Sequence, residues 1–285
     1  VLKEAIRRTP GLDPKEIDDV VMGCTFPEAE QGLNIGRVIV QKAGLPDDVP
    51  GVTLNRFCSS GLNAISMACE RVMCGMTEVM VAGGIESMSL IPMGGNMMMV
   101  DPELGGNTPW AYEGMGMTAE NVANDFKISR ADMDALGVRS NELALKAIAE
   151  GKFKDEIVPL TVTKQRPSKK KKGYFELYEE TFDTDEGPRP TTLESLAKLR
   201  PAFTKTGTVT AGNSSQMSDG AAAVMIMSKE KAKSLGLKPL LTYRSFAVAG
   251  VDPRYMGIGP VKAIPKALKL AGIDKDKLDL IELNE

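Results

Sequence analysis

Apolar positions in residues 1–90 switch repeatedly between helical and strand spacing, which predicts helices and strands in alternation. Residues 1–9 carry a helical pattern; Gly11 and Pro14 punctuate a turn, and residues 14–20 approach a strand. Val20-Val21-Met22-Gly23-Cys24 is a short apolar run that reads as a buried strand. Residues 33–43 are helical, with Ile35, Val38, Ile39 and Lys42 spaced for one covered face. Pro46 and Pro50 break the chain, after which Val52 and Leu54 alternate with Thr53 and Asn55 as a half-buried strand. Leu62, Ile65, Cys69, Val72 and Met73 then recur at helical spacing, and Gly75 sits where a C-terminal cap belongs. Residues 78–82 form the next strand. This alternation predicts an α/β layer on a mainly parallel sheet.

From residue 90 to 213 the pattern changes. Gly, Pro and Met cluster over residues 92–99 and again over 114–117. Residues 118–126 read as a helix capped by Thr118, and residues 129–150 hold two more helical patterns, with Ser129 ahead of acidic Asp132. Residues 153–162 and 174–182 predict strands flanking a polar tip. The whole stretch reads as an insertion, a lid or loop subdomain that encloses a ligand. Residues 219–228 return to a buried strand, followed by a helix over 229–235. A new unit then begins, with strands at 240–248 and 278–282 around a helix at 260–271. The expected division is therefore residues 1–89 with 216–239, an inserted domain at 90–215, and the start of a second half at 240–285.

Composition narrows the function. A chain of 285 residues, 42% hydrophobic and 26% charged, buries a substantial core. A net charge of −3 offers no bulk attraction for nucleic acid or a membrane surface, so neither is an expected partner. No apolar stretch approaches membrane-spanning length, and no signal peptide is visible. Cys24, Cys58, Cys69 and Cys74 have neither secreted-framework density nor metal-ligand spacing, which points to a reducing, cytoplasmic compartment, or a mitochondrial or peroxisomal one in a eukaryote. Histidine is absent, so no Cys–His dyad or Ser–His–Asp triad exists within these residues. A cysteine nucleophile here leans on a helix terminus, or on a base from outside this sequence.

The candidate nucleophile is Cys58, at the junction of the strand and helix on either side of it. Backbone N–H groups and the positive end of a helix dipole stabilise a thiolate there. Small Ser59, Ser60 and Gly61 leave the sulfur accessible and let a substrate approach the backbone. The competing reading is the ordinary one for a free cysteine, a small buried hydrophobe. Residues 206–220 are rich in small and hydroxyl side chains; a flexible linker is one reading, but the threonines and Val209 favour ordered extended structure. Met115 and Met256, by default core fillers, lie in Gly-rich segments. The lysine run 169–172 reads as a solvated loop tip that can also attract phosphates.

Asn55-Arg56-Phe57-Cys58-Ser59-Ser60-Gly61-Leu62, followed by Val81-Ala82-Gly83-Gly84-Ile85-Glu86-Ser87-Met88-Ser89, resembles the nucleophile motif of the thiolase family and the strand and turn behind it. The resemblance implies two similar βαβ halves with a loop domain inserted into the first. It implies an acyltransferase in which Cys58 takes an acyl group from an acyl-CoA, for thiolysis of a 3-ketoacyl-CoA or the reverse condensation. The Cys58 backbone N–H would help stabilise the oxyanion. CoA and acyl-CoA are then substrates, and no metal or organic cofactor is implied.

The same resemblance extends along the chain. Residues 206–220 are similar to the stretch that cradles the pantetheine arm of CoA, with Ala211, Ser214 and Ser215 at contacting positions. Residues 191–203 resemble another CoA-contacting stretch through Ser195, and Arg189 matches a nucleotide contact. The segments around Met115 and Met256 resemble those lining the acyl pocket. Gly114 stands where some relatives carry histidine, which leaves room for a bulkier substrate and points to a degradative thiolase of broader chain-length range, of the kind used in fatty acid β-oxidation. Asn284-Glu285 resembles the start of an Asn-Glu-Ala-Phe motif, whose asparagine holds an oxyanion-binding water.

The family's Gly-His-Pro and Cys-Gly-Gly-Gly segments and its opening strand do not appear, so the chain matches the middle of a thiolase. Taken alone it is expected to be nearly inactive, since general acid/base groups each supply factors of about 10²–10⁴. The intact protein is expected to be a homodimer or homotetramer, with the Cys58 region near the subunit contact. Two rivals stand beside this reading. One is a ketoacyl-synthase-type condensing enzyme, against which residues 191–215 argue. The other is a non-catalytic acyl-CoA-binding or assembly module, for which the missing histidine speaks.

Overall fold

The alternation in residues 1–90 becomes a sheet with helices on both faces. The computed structural model describes residues 1–169 and 171–284; Lys170, in the lysine run, and Glu285, of the terminal Asn-Glu pair, lie outside the described residues. In chain order the first elements are α1 (Leu2–Arg7), β1 (Asp19–Gly23), α2 (Ile35–Ala43), β2 (Gly51–Leu54), α3 (Ser60–Met73) and β3 (Val79–Glu86). There follow α4 (Pro102–Asn107), α5 (Met115–Asp125), α6 (Arg130–Ala149), β4 (Leu160–Pro167), β5 (Phe175–Phe182) and α7 (Leu193–Ala197). Last come β6 (Gly220–Met227), α8 (Lys229–Ser234) and α9 (Gly259–Ala271). The described chain divides into two compact units, Val1–Thr118 with Met217–Glu285, and Ala119–Gln216.

In the first unit the sheet order is β2-β1-β3-β6. Val20 of β1 lies opposite Gly51 of β2 and Val81 of β3, both in parallel register, while β6 closes the edge antiparallel to β3. Side chains along a strand alternate between faces, and β1 uses both. Val20 and Met22 pack with Leu2, Ile17, Val40 and Val49 on one face; Val21 packs with Ala64 and Ala68 of α3 on the other. A central strand covered twice needs a continuous apolar run, which is what Val20-Val21-Met22 supplies.

Helix α3 meets the sheet differently from its sequence pattern. The expected apolar face included Leu62 and Met73, but these are 61% and 67% exposed. The covered face is instead Ser60, Asn63, Ala64, Ser66, Ala68 and Cys69. Close approach of helix to strand explains the exchange: a Cβ at Gly23 of β1 would lie 2.6 Å from the Gly61 nitrogen. Small residues win the buried side because nothing larger fits there. Gly75 follows the helix with φ +68, as its capping position requires.

Four other expectations change. Helix α5 begins at Met115, so Thr118 is not its cap; the Thr118 hydroxyl donates to the Met115 carbonyl at 2.9 Å inside the first turn. The two helical patterns of residues 129–150 are one helix, α6, capped by Ser129, whose Oγ accepts the Asp132 N–H at 3.1 Å. Residues 240–248 and 278–282 form no strand among the described residues. Leu240 and Leu280 are 97% and 86% exposed there, and strand-prone side chains make a strand only where a neighbour completes the ladder. Strand β6 is also less covered than its apolar sequence suggested, since Gly220, Ala221 and Ala222 are exposed.

In the second unit β4 and β5 form an antiparallel hairpin, from Leu160 opposite Phe182 to Pro167 opposite Phe175. The expected strands are there, the first displaced towards the tip. Arg130 of α6 donates to the Leu196 carbonyl at 2.6 Å and ties the long helix to α7.

Candidate active site

The turn between β2 and α3 carries the chemistry of the first unit. Cys58 lies one residue ahead of Ser59, the N-cap of α3. Phe57, just before it, has φ +48, a left-handed conformation that is uncommon for a bulky residue and costs about 1–3 kcal/mol. Side chains on both flanks hold it. Asn55 Oδ1 accepts the Phe57 N–H at 2.8 Å, and Ser60 Oγ donates to the Phe57 carbonyl at 2.6 Å. Ser60 Oγ also accepts the Arg56 N–H at 2.8 Å. Ser59 spends its hydroxyl on the Arg56 carbonyl at 3.1 Å, so its side chain does not close the helix N-terminus. The turn is a fixed object, and it presents Cys58 to solvent.

The four cysteines separate by environment. Cys24 and Cys69 are buried, and burial pushes both thiols up, Cys24 to about 11 with the nearby Glu86 carboxylate adding to the effect. These two are protonated packing groups. Cys58 and Cys74 are exposed, at opposite ends of α3. Negative charge is favoured at a helix N-terminus and disfavoured at its C-terminus, so the position suited to a nucleophile is that of Cys58.

Behind the turn, β3 runs into Glu86, Ser87, Met88 and Ser89. Glu86 accepts the Thr25 N–H at 2.6 Å and the Phe26 N–H at 3.3 Å, and the Gln31 amide also donates to it. Asn55 Nδ2 donates to the Thr25 carbonyl at 2.8 Å. Ser89 donates through its N–H and its hydroxyl to Asp219 at 2.8 and 2.7 Å, and these bonds hold the Asp219 carboxyl below its ordinary range.

Met115 and Met256 are each close to half exposed. Two residues before Met256, the Arg254 guanidinium lies 5.3 Å from the centre of the Trp110 ring. Asn284 is exposed.

In the second unit, Ser195 is part of a capping box: its Oγ accepts the Thr192 N–H at 3.0 Å and donates to the Thr192 carbonyl at 2.7 Å. Ser214 Oγ donates to the Thr210 carbonyl at 2.7 Å. Ala211, Ser215 and Arg189 are exposed. The segment around them is ordered, but by turns rather than extended structure, and its anchor is a residue that sequence reasoning missed. Glu120, 3% exposed, accepts the Thr208 and Val209 N–H groups, each at 2.9 Å, and the Thr208 hydroxyl at 3.1 Å. Asn213 adds a second tie, to Asp134 at 2.9 Å.

The fold and the turn together define an α/β protein that exposes one cysteine on a fixed, strained turn at a helix N-terminus. The family model for the thiolase N-terminal domain matches residues 1–230, and that for the thiolase C-terminal domain matches residues 237–285. A 3-ketoacyl-CoA thiolase of Bacillus subtilis is 53% identical over 285 residues, covering 100% of this chain and 72% of that protein. An acetyl-CoA acetyltransferase of Syntrophomonas wolfei is 44% identical over 299 residues, again with 100% and 72% covered. The crystal structure of the Bacillus anthracis acetyl-CoA acetyltransferase superposes with a TM-score of 0.82 at 40% identity, covering 98% of this chain and 71% of that one. The chain belongs to the thiolase family.

Proposed function

We propose that the protein is an acyl-CoA C-acyltransferase that carries its acyl group on Cys58. In the cleavage direction the sulfur adds to the 3-keto carbon of a 3-ketoacyl-CoA. The C2–C3 bond breaks, its electron pair passes to the departing acetyl-CoA enolate, and that enolate takes up a proton. The acyl group stays on sulfur as a thioester until the thiol of CoA displaces it. Condensation is the same sequence reversed. CoA and acyl-CoA are substrates here, and the reading requires no metal or organic cofactor.

The observation that carries this reading is the exposed Cys58 on its braced turn, in a chain of this family. Within the 285 residues there is no histidine, so what this sequence itself offers the sulfur is the N-terminus of α3. The assignment of Ser195, Ala211, Ser214, Ser215 and Arg189 to CoA is supported by their exposure or by the anchored loop that holds them. Met115 and Met256 are assigned to the acyl pocket on the resemblance of their segments and on their half-exposed side chains. Asn284 is assigned to the oxyanion water. The family models meet between residues 230 and 237, which supports reading residue 240 onward as the start of a second half. A homodimer or homotetramer and a cytoplasmic site complete the reading; among the described residues no helix is long and apolar enough to cross a membrane.

The test is acyl transfer read at the residue itself. The protein is incubated with acetyl-CoA and with a longer acyl-CoA, digested, and the Cys58 peptide weighed for the added acyl group. Slow acylation at Cys58, released by free CoA and absent in Cys58→Ala, is the expected result from a sequence that carries no histidine. Acylation elsewhere would overturn Cys58 as the acyl carrier; CoA binding with no transfer and no change in Cys58→Ala would mean a non-catalytic binding module.

A further inference from the structure

We propose that Glu86 is a positioning residue for Cys58, acting through Thr25 and Asn55. The proposal rests on reading Cys58 as the acyl carrier.

Glu86 ends β3, and its carboxylate gathers the loop that follows β1. The Thr25 and Phe26 N–H groups and the Gln31 amide, 2% exposed, all donate to it. Backbone donors on an ionised carboxylate are among the stronger hydrogen bonds of a protein, so this loop has one defined place. From that place the Thr25 carbonyl receives Asn55 Nδ2 at 2.8 Å. A primary amide whose nitrogen is committed has only its oxygen left to offer on the other side. Asn55 Oδ1 therefore faces the Phe57 N–H, and takes it at 2.8 Å. The residue so held is the left-handed one immediately before Cys58.

The chain of bonds thus runs Glu86, Thr25, Asn55, Phe57, with each link fixing the orientation of the next. Without Glu86 the Cys24 N–H still reaches the Leu54 carbonyl at 3.0 Å and the Gln31 amide the Phe26 carbonyl at 2.7 Å. The Thr25 and Phe26 N–H groups lose their acceptor, however, so the Thr25 carbonyl between them is held less firmly and the Asn55 amide gains freedom to rotate by half a turn. That rotation would set a donor against the Phe57 N–H and loosen the turn that aims the sulfur. Cys24 lies beside this carboxylate, with its Sγ 3.9 Å from Glu86 Oε1, and stays a neutral donor. A purely structural Glu86 would anchor residues 25–31 and leave the behaviour of Cys58 unchanged.

The full chain and its variants are treated with iodoacetamide and, separately, with acetyl-CoA, and modification is followed by peptide mass. Cys74, exposed at the far end of α3, serves as the internal reference. Glu86→Gln sets an amide donor among four donors and is expected to slow Cys58 modification about tenfold while Cys74 keeps its rate. Asn55→Asp keeps the acceptor for Phe57 but loses the donor to Thr25, on an exposed side chain, and should act in the same direction. The decisive comparison is Glu86→Gln in an Asn55→Ala background. If Glu86 acts through Asn55, the second change adds nothing at Cys58; if the two effects multiply, the proposal falls. It falls equally if Glu86→Gln lowers the thermal midpoint but leaves the Cys58-to-Cys74 ratio unaltered. Should Glu86→Gln fail to fold, Asn55→Asp alone decides: an unchanged ratio overturns the proposal. If acetyl-CoA leaves Cys58 unmodified while iodoacetamide reports the Glu86 effect, the acyl-carrier reading fails and the positioning stands.

Discussion

Asn55 accepts the Phe57 N–H at 2.8 Å and so stabilises, from two residues back, the left-handed backbone that precedes Cys58. The side chain of Phe57 does little of this work, being 66% exposed.

The strain at Phe57 should be readable by substitution. A β-branched side chain tolerates φ +48 least, so Phe57→Val is expected to lower stability by about 1–2 kcal/mol. Glycine removes the strain but loosens the unfolded chain, and Phe57→Gly should stay within about 1 kcal/mol of the parent. Urea unfolding of the three proteins compares them directly. Equal losses for both variants would mean that the phenyl ring, and not the backbone, carries the residue's contribution.

Helix α3 sits where it does because Gly23 lets it. A methyl group there would lie 2.6 Å from backbone atoms of Ser60 and Gly61. Backbone cannot swing aside as a side-chain end can, so Gly23→Ala should cost about 1–3 kcal/mol and displace the helix that follows Cys58. Gly220→Ala meets nothing within 4 Å and is the control, expected within about 0.5 kcal/mol. The same urea series, with Cys58 alkylation measured alongside, should show a double penalty only for Gly23→Ala. An unaffected Gly23→Ala would mean the helix has slack to retreat.

How much of this the sequence discloses depends on what each residue touches. Strand β1 is legible because both its faces are covered, which forces Val20, Val21 and Met22 to be apolar together. The buried face of α3 is not, because Ala64 and Ala68 were selected by a close approach to the strand, and proximity leaves no periodic signal. Residues 240–248 look like a strand on composition alone, but a ladder needs a neighbour. Cys58 is legible as part of a motif of small residues. Glu86 and Glu120 are not, since their partners are backbone N–H groups far away in the chain, and any residue type can supply those.

The buried thiol next to Glu86 should give the protein an alkaline weakness. Cys24 is 1% exposed, and burial together with the Glu86 charge raises its thiol from about 9 to about 11. An acid with a raised folded-state value binds its proton more tightly when folded. Its contribution is therefore fully present below pH ~8.5, the unfolded thiol's range, and is lost as pH climbs towards 11. On the order of 2 kcal/mol is at stake across that window. Cys24→Ala is expected to be less stable than the parent at pH 7 but to have a flatter profile from pH ~8.5 upward. Thermal midpoints across that range check it. Parallel profiles would show that the thiol does not titrate differently on folding.

Glu120 should matter for CoA without mattering for Cys58. Its carboxylate, 3% exposed, takes the N–H groups of Thr208 and Val209 and the Thr208 hydroxyl. Glu120→Ala leaves those donors without an acceptor, which costs about 1–3 kcal/mol for a buried group and frees the turn that carries Ala211, Ser214 and Ser215. If that turn holds the pantetheine arm, CoA affinity should fall about tenfold or more, since the loop must then be ordered at the moment of binding. Glu120→Gln keeps one acceptor oxygen and should fall between. Titration calorimetry with CoA measures the loss, and the rate of Cys58 alkylation, which reads the other unit, should hold steady in the same samples. A Glu120→Ala protein that is less stable yet binds CoA as before would remove residues 206–215 from the CoA site. One in which alkylation slows as well would mean that the damage had spread beyond the turn.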